Sequence, residues 1–245
     1  MENKIHISLS AEKLFQVNGF TITNTLLVSL MVFLILSVSA YFFRKKLSLI
    51  PGFFQNLVEY LISGALNLMK NVLGSEKKAE KYLPLIFTIF IFILVSNWLG
   101  LLPGVGSIVL KEHNETIPIF RSPSSDLNFT LALAVISVMT INLLGITVLG
   151  FFKYVKKFIN FSNPVQFFIG ILELISEIAK MISFSFRLFG NVFAGEVLLT
   201  IVGFLAPYFI PLPFLFLEIF VGFIQAFVFA MLSLVFVSIA TSENH

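Results

Sequence analysis

The chain has 245 residues, of which 58% are hydrophobic and only 12% charged, with 31 phenylalanines and a mean hydropathy of +0.98. A soluble domain carries about 25% charged residues, so this composition excludes a water-soluble enzyme and, by the same apolar excess, a disordered chain. Cysteine is absent, the three histidines (His6, His113, His245) are scattered, no Gly-Lys dipeptide offers a phosphate loop, and a net charge of +3 is too small to argue for nucleic acid. The expectation is therefore no disulfide, no metal, no cofactor, no nucleic acid and no direct nucleotide binding.

The N-terminal segment, residues 1–22, is mixed in charge and lacks a short apolar core or cleavage site, so it does not read as a secretory signal. Beyond it the charges cluster and leave long gaps: residues 14–43, 82–110, 127–152, 197–217 and 219–242 carry none. A spanning helix needs about 20 mostly apolar residues, which predicts spans near 23–43, 83–102, 127–150, 170–203 and 212–240. Strand alternation is absent, which argues against a barrel. Between the first two spans, over 51–74, Phe54, Leu57, Val58, Leu61, Ile62, Leu66, Met69, Val72 and Leu73 recur at helical spacing. Gln55, Asn56, Glu59, Ser63, Asn67, Lys70 and Asn71 fill the other face, the pattern of an interfacial amphipathic helix. The expected fold is an all-α integral membrane protein, one domain over 1–245, with about five transmembrane helices plus this interfacial helix.

Basic residues set the orientation. Arg44, Lys45, Lys46, Lys70, Lys77, Lys78, Lys81, Lys153, Lys156 and Lys157 fall on one side if the spans alternate. Lys4, Lys13, Lys111 and Arg121 fall on the other, so ten oppose four. The larger group belongs in the cytoplasm, which puts the N-terminus outside and the C-terminus inside a bacterial plasma membrane or an organellar energy-coupling membrane.

Charge at the membrane centre costs roughly 2.5–3.5 kcal/mol per residue and marks functional paths. The first three spans contain none. The last two hold Glu173, Glu177, Lys180, Arg187, Asn191, Glu196, Glu218 and Gln225. On a wheel of about 100° per residue, Ser176 and Lys180 lie about 20° from Arg187, while Glu173, Ser183 and Asn191 lie about 40° away. These form one stripe, and Glu196 points to the opposite side. If the last two spans form an antiparallel hairpin over 170–240, facing residue numbers share a constant total. Arg187 with Gln225 gives 412 and Glu196 with Glu218 gives 414, both centred on the proline-rich segment 206–213. Glu196 and Glu218 then share a level at which neither has a lysine or arginine, and should act as a coupled pair holding one proton between them. Glu218 and Gln225, seven apart, share a face of the last span, and Gly222 between them leaves room for close approach or water.

Bland readings compete for several of these residues. Lys180 can snorkel to the inner edge as an anchor. Glu173 and Glu177 suit a solvated helix end. Ser183, Asn191 and Gln225 can serve as interhelical glue. Arg187 resists such a reading, because it sits at mid-span and cannot lose its proton. A fixed arginine there blocks a continuous cation path and attracts an ionised carboxylate, which a partner has to supply. Two half-paths for ions follow.

The run Ser183-Phe184-Ser185-Phe186-Arg187-Leu188-Phe189-Gly190-Asn191-Val192-Phe193-Ala194-Gly195-Glu196 resembles the signature segment of subunit a of rotary F-type ATP synthases. Gln55-Asn56-x-x-Glu59, Asn97-Trp98-x-Gly100-x-x-Pro103-Gly104, Asp126-x-Asn128 with Thr130-Leu131-Ala132-Leu133-Ala134, and Glu218 with Gln225-Ala226-Phe227-Val228-Phe229 resemble further pieces of that family in the right order. The resemblance implies a non-catalytic, ion-conducting stator subunit working with a ring of c subunits, the b subunits of the peripheral stalk and the rest of the synthase. It implies that Arg187 faces the ring. Glu196, Glu218, Asn191 and Gln225 would line or support the outer half-channel, with Glu173, Ser176 and Lys180 near the inner one. The family often has a glutamate–histidine pair where this chain has Glu196 and Glu218, so an imidazole relay is absent here. A secondary transporter of a small substrate is the alternative, favoured by inverted repeats; no repeat is visible.

Overall fold

The computed structural model describes residues 11–17, 20–102, 109–112, 115–158, 163–206 and 208–242. Among them are seven α-helices: α1 (Asn24–Lys45), α2 (Phe53–Leu73), α3 (Glu76–Leu99), α4 (Leu127–Leu149), α5 (Phe151–Phe158), α6 (Pro164–Leu205) and α7 (Pro211–Ala240). Five of them, α1, α3, α4, α6 and α7, are long and apolar enough to cross a membrane, and they coincide with the five predicted spans. The chain is an all-α membrane protein. His6, His113, His245, Pro103, Gly104 and Pro207 lie outside the described residues.

Helix ends follow local chemistry. Thr23 opens α1 by accepting the Leu26 N–H (3.3 Å), and Arg44 and Lys45 close it at the negative end of the helix dipole. The amphipathic α2 stops at Gly74, whose φ of 67° suits a residue without a Cβ. The Asp126 carboxylate caps α4 by accepting the Asn128 N–H (3.0 Å). Pro164 starts α6, six residues before the predicted boundary, because proline is favoured in a first turn. At 1.5 Å per residue, α6 is about 63 Å long, twice the roughly 30 Å hydrocarbon core. It must run steeply inclined or project beyond the bilayer.

Two features add to the predicted helices. Short strands are present: β1 (Lys13–Val17) pairs with β2 (Phe20–Thr23) ahead of α1, and β3 (Val109–Glu112) with β4 (Glu115–Pro118) between α3 and α4, each an antiparallel hairpin. Four or five residues are too few for alternation to stand out against the apolar background. The other feature is α5, two turns of basic and aromatic residues that follow Gly150 (φ 85°).

The core joins α3, α4 and α7. One part gathers Met69, Leu73, Tyr82, Ile86, Ile141, Leu234 and Val237; the other gathers Ile93, Leu94, Ala134, Phe184, Leu188, Ala226 and Phe229. The α6–α7 pair is antiparallel. The Phe184 and Phe229 rings lie 4.7 Å apart, and the Glu218 carboxyl rests against Gly195. Both pairs total 413, between the two values expected from the sequence, with the turn centred on 206–207.

Candidate functional site

The polar residues of the last two helices fall into three places. The first lies near the α6–α7 turn. Glu218 is buried, with its carboxyl against the backbone of Gly195. A Cβ on residue 195 would coincide with that carboxyl, so glycine here makes the space the glutamate occupies. The room beside Gly222 is taken by Asn97 and Trp98 of α3. Asn97 donates to the Gly222 carbonyl (3.0 Å), and the Trp98 indole N–H donates to the Ile219 carbonyl (3.0 Å). These bonds fix the height of α7 against α3 in the turn of helix that follows Glu218.

Glu196 follows Gly195 and has a partner that the sequence reading lacked. Arg121 Nε lies 3.0 Å from Glu196 Oε1 and 3.2 Å from Oε2, and it also donates to Ser125 Oγ (3.0 Å). The Arg121 side chain is 5% exposed and that of Glu196 39%. The expectation that no basic residue reaches this level is therefore wrong. The hairpin supplies none, but the segment between β4 and α4 does. A short 3-10 turn, Pro123–Ser125, carries it into the bundle. Ser125 Oγ donates to the Ser122 carbonyl (2.9 Å), and Ser122 Oγ donates to the Ser96 carbonyl on α3 (3.3 Å). Thr25 of α1 donates to the Asp126 carboxylate (2.9 Å), and the Thr130 and Ser185 hydroxyls meet at 3.1 Å. Ser96 Oγ, Asn97 Oδ1 and Ser124 Oγ are buried without a protein partner among the described residues, the exception to the usual pairing of buried polar groups. Arg121, Ser96, Ser124 and Thr130 were missed because no periodicity marks them. The run Arg121-Ser122-Pro123-Ser124-Ser125-Asp126 is the signal that could have found Arg121 and Ser124.

The second place is mid-helix. Arg187 is exposed on this chain, and its Nη2 reaches only Ser183 Oγ, at 3.4 Å. Among the described residues no carboxylate pairs with it. Ser176, Ala179, Ser183, Gly190 and Ala194 are exposed along the same face, a shallow track of small side chains. Asn191 is half-buried, as is Gln225 on α7. Arg187 and Glu196 do not pair, in agreement with their opposite places on the wheel.

The third place is the other end of α6. Glu177 is buried, not solvated, and accepts from Lys180 Nζ (2.7 Å), which also lies 4.7 Å from the centre of the Phe236 ring. The solvated-end reading fails for Glu177, and Lys180 is half-buried against it. Glu173 is half-buried and Ser176 exposed. Tyr154 of α5 donates to Asn142 Oδ1 (2.8 Å). Burial, then the Glu177 and Glu173 carboxylates, push its phenol from 10.0 up to about 12.

Comparison with known proteins gives a consistent result. The sequence profile described as ATP synthase A chain matches residues 25–238. ATP synthase subunit a of Campylobacter concisus (strain 13826) is 39% identical over 219 residues, covering 87% of this chain and 88% of that one. The subunit a of Campylobacter jejuni (strain RM1221) is 36% identical over 220 residues, 88% and 89% of the two chains. That of Geotalea uraniireducens (strain Rf4) is 38% identical over 215 residues, 86% and 83%.

Proposed function

The chain belongs to the ATP synthase A chain family, and from that premise we propose that it forms the ion path of the synthase membrane sector, beside a ring of c subunits. The b subunits of the peripheral stalk hold it still. Its N-terminus lies outside and its C-terminus in the cytoplasm. Protons enter through a half-channel near the α6–α7 turn, supported by Glu196, Glu218, Asn191 and Gln225. They pass from Glu218 to a carboxylate on the ring, which can then move into lipid as a neutral acid. A ring carboxylate arriving from the other side gives up its proton toward Glu173, Ser176 and Lys180, and is left ionised opposite Arg187. The guanidinium keeps its charge throughout. It therefore forbids a direct proton passage between the half-channels and attracts each ionised carboxylate in turn. Each charge crossing 100 mV releases about 2.3 kcal/mol, so several crossings combine for one ATP. The subunit itself binds no nucleotide.

The observation that carries this reading is Arg187. It is permanently charged, halfway along a membrane helix, exposed on its own chain and unmatched by any acid among the described residues. Leaving it against lipid costs at least roughly 2.5–3.5 kcal/mol, so a partner with a carboxylate must cover it. The test is ATP synthesis driven by an imposed proton gradient in the reconstituted complex. Arg187→Ala and Arg187→Lys should both abolish it, with passive proton leak rising in the alanine variant. Normal synthesis by an assembled Arg187→Ala complex would remove the role.

A further inference from the structure

The corner where α1 turns into α2 stands apart from the bundle. The residues that α1 buries, Asn24, Thr25, Val28 and Val32, belong to its first three turns. Those that α2 buries, Met69 and Leu73, belong to its last two. Between residues 33 and 68 no side chain is buried. The corner is nonetheless built. Gln55 Oε1 accepts the Ser48 N–H (3.1 Å), and its Nε2 donates to the Ser48 carbonyl (2.9 Å). Ser48 Oγ donates to the Ile50 carbonyl (2.7 Å). These bonds tie the link to the first turn of α2, and a groove of about 510 Å³ lies between the two helices there. Phe42 and Phe43 of α1 and Phe53 and Phe54 of α2 form its apolar walls, and Lys46 is its one charged lining residue. Phe53 and Phe54 are 79% and 81% exposed.

The charge around this groove is one-sided. Arg44, Lys45 and Lys46 adjoin it, and Glu59 is the only acid between residues 14 and 75. Glu59 accepts from Gln55 Nε2 (2.8 Å), and Lys45 lies over the Tyr41 ring (4.5 Å). Among the described residues no carboxylate pairs with Lys46. Exposed phenylalanine is ordinary on a membrane helix. Phenylalanine walls that meet an unpaired cation are complementary to an anionic amphiphile. A protein helix laid in the groove would have to strip water from Lys46 or supply an acid to it. A phospholipid brings phosphate and apolar chains in one molecule, and the bilayer presents it at the depth where a spanning helix ends, the setting in which basic pockets hold anionic lipid headgroups.

We propose that the groove between the end of α1 and the start of α2 binds one anionic phospholipid of the bilayer. Its phosphate sits at Lys46 and its chains lie along the phenylalanine walls. The proposal needs only that α1 crosses the membrane, so it stands or falls apart from the proton path.

The test reconstitutes the intact complex in phosphatidylcholine vesicles doped in both leaflets with diazirine-tagged phosphatidylglycerol or, separately, with diazirine-tagged phosphatidylcholine. Labelled peptides are located by mass spectrometry. Phosphatidylglycerol should label residues 39–55 in preference to phosphatidylcholine, whereas the exposed Ile136 and Met139 of the charge-free α4 should show no preference. Lys46→Gln should cut the preference about fivefold, and Lys46→Arg should keep it. Lys77→Gln, at an exposed lysine outside the groove, should leave it unchanged. Excess untagged phosphatidylglycerol should displace the label, and soluble glycerol phosphate should not. Equal labelling by the two lipids in the parent complex would overturn the proposal, and that comparison needs no variant to assemble. A preference that survives Lys46→Gln would also overturn it. Displacement by glycerol phosphate would reduce the groove to a phosphate site. An unlabelled 39–55 segment with a Phe53→Cys cross-link to another subunit would put a protein there in place of a lipid.

Discussion

Gly195→Ala is the sharpest small perturbation available. A Cβ at this position falls on the Glu218 carboxyl, whose three atoms are its nearest neighbours. The obstacle is the far end of a flexible side chain, so the helices need not part; the carboxyl has to retreat. Restoring ordinary van der Waals separation requires a movement of at least about 1 Å. Overpacking costs about 1–3 kcal/mol, while alanine in a helix interior regains about 0.5–1 kcal/mol over glycine. The net loss of stability should stay below about 2.5 kcal/mol, so the complex should assemble. Transport should suffer far more, because a 1 Å misplacement of a reacting group can cost on the order of a hundredfold. ATP-driven proton pumping in reconstituted vesicles should fall by about ten- to a hundredfold. Adding Glu218→Asp, which shortens the side chain by one methylene, should recover part of it. Gly203→Ala on the same helix, where a Cβ meets nothing within 4 Å, should pump like the parent. Full pumping by Gly195→Ala would refute the placement of Glu218 in the path, as would a loss that Glu218→Asp leaves unchanged.

Two further outcomes are expected. Trp98→Phe removes the indole bond to the Ile219 carbonyl and should destabilise the detergent-solubilised complex by about 1 kcal/mol, read by chemical denaturation. Tyr154 has a folded value of about 12 against an ordinary 10.0. Its contribution to stability is therefore intact below the ordinary value and is lost as pH rises toward the folded one. Denaturation followed through alkaline pH should reveal that step in the parent and not in Tyr154→Phe.

The spans were legible because a membrane helix announces itself by charge-free length, and the register of α6 on α7 followed from the rigid rise of two antiparallel helices. The Phe184–Phe229 contact and the Gly195–Glu218 contact both fall at the predicted level. Arg121 was not legible as a site residue. In sequence it is one of four basic residues of the outer group, and only the fold of the 119–126 segment turns it inward. Glu177 was misread for a related reason. Its position near a helix end suggested water, but α5 and α7 close over it, bringing Tyr154 and Phe236 to the Glu177–Lys180 pair. Local pattern specified helices and levels, while the pairing of charges across non-adjacent elements depended on loops whose sequences carry no period.

The central claim is that the exposed Arg187 face lies against a rotor helix. The chain has no cysteine, so single cysteines replacing Ser183 and Asn191 can be paired cleanly with cysteines placed along the c-subunit helix of a reconstituted complex. Oxidative cross-linking should join both positions to the ring, and the cross-link should stop rotation-coupled ATP hydrolysis reversibly. Absence of any cross-link from either position, in an assembled and active complex whose cysteines still react with a membrane-permeant thiol reagent, would contradict it.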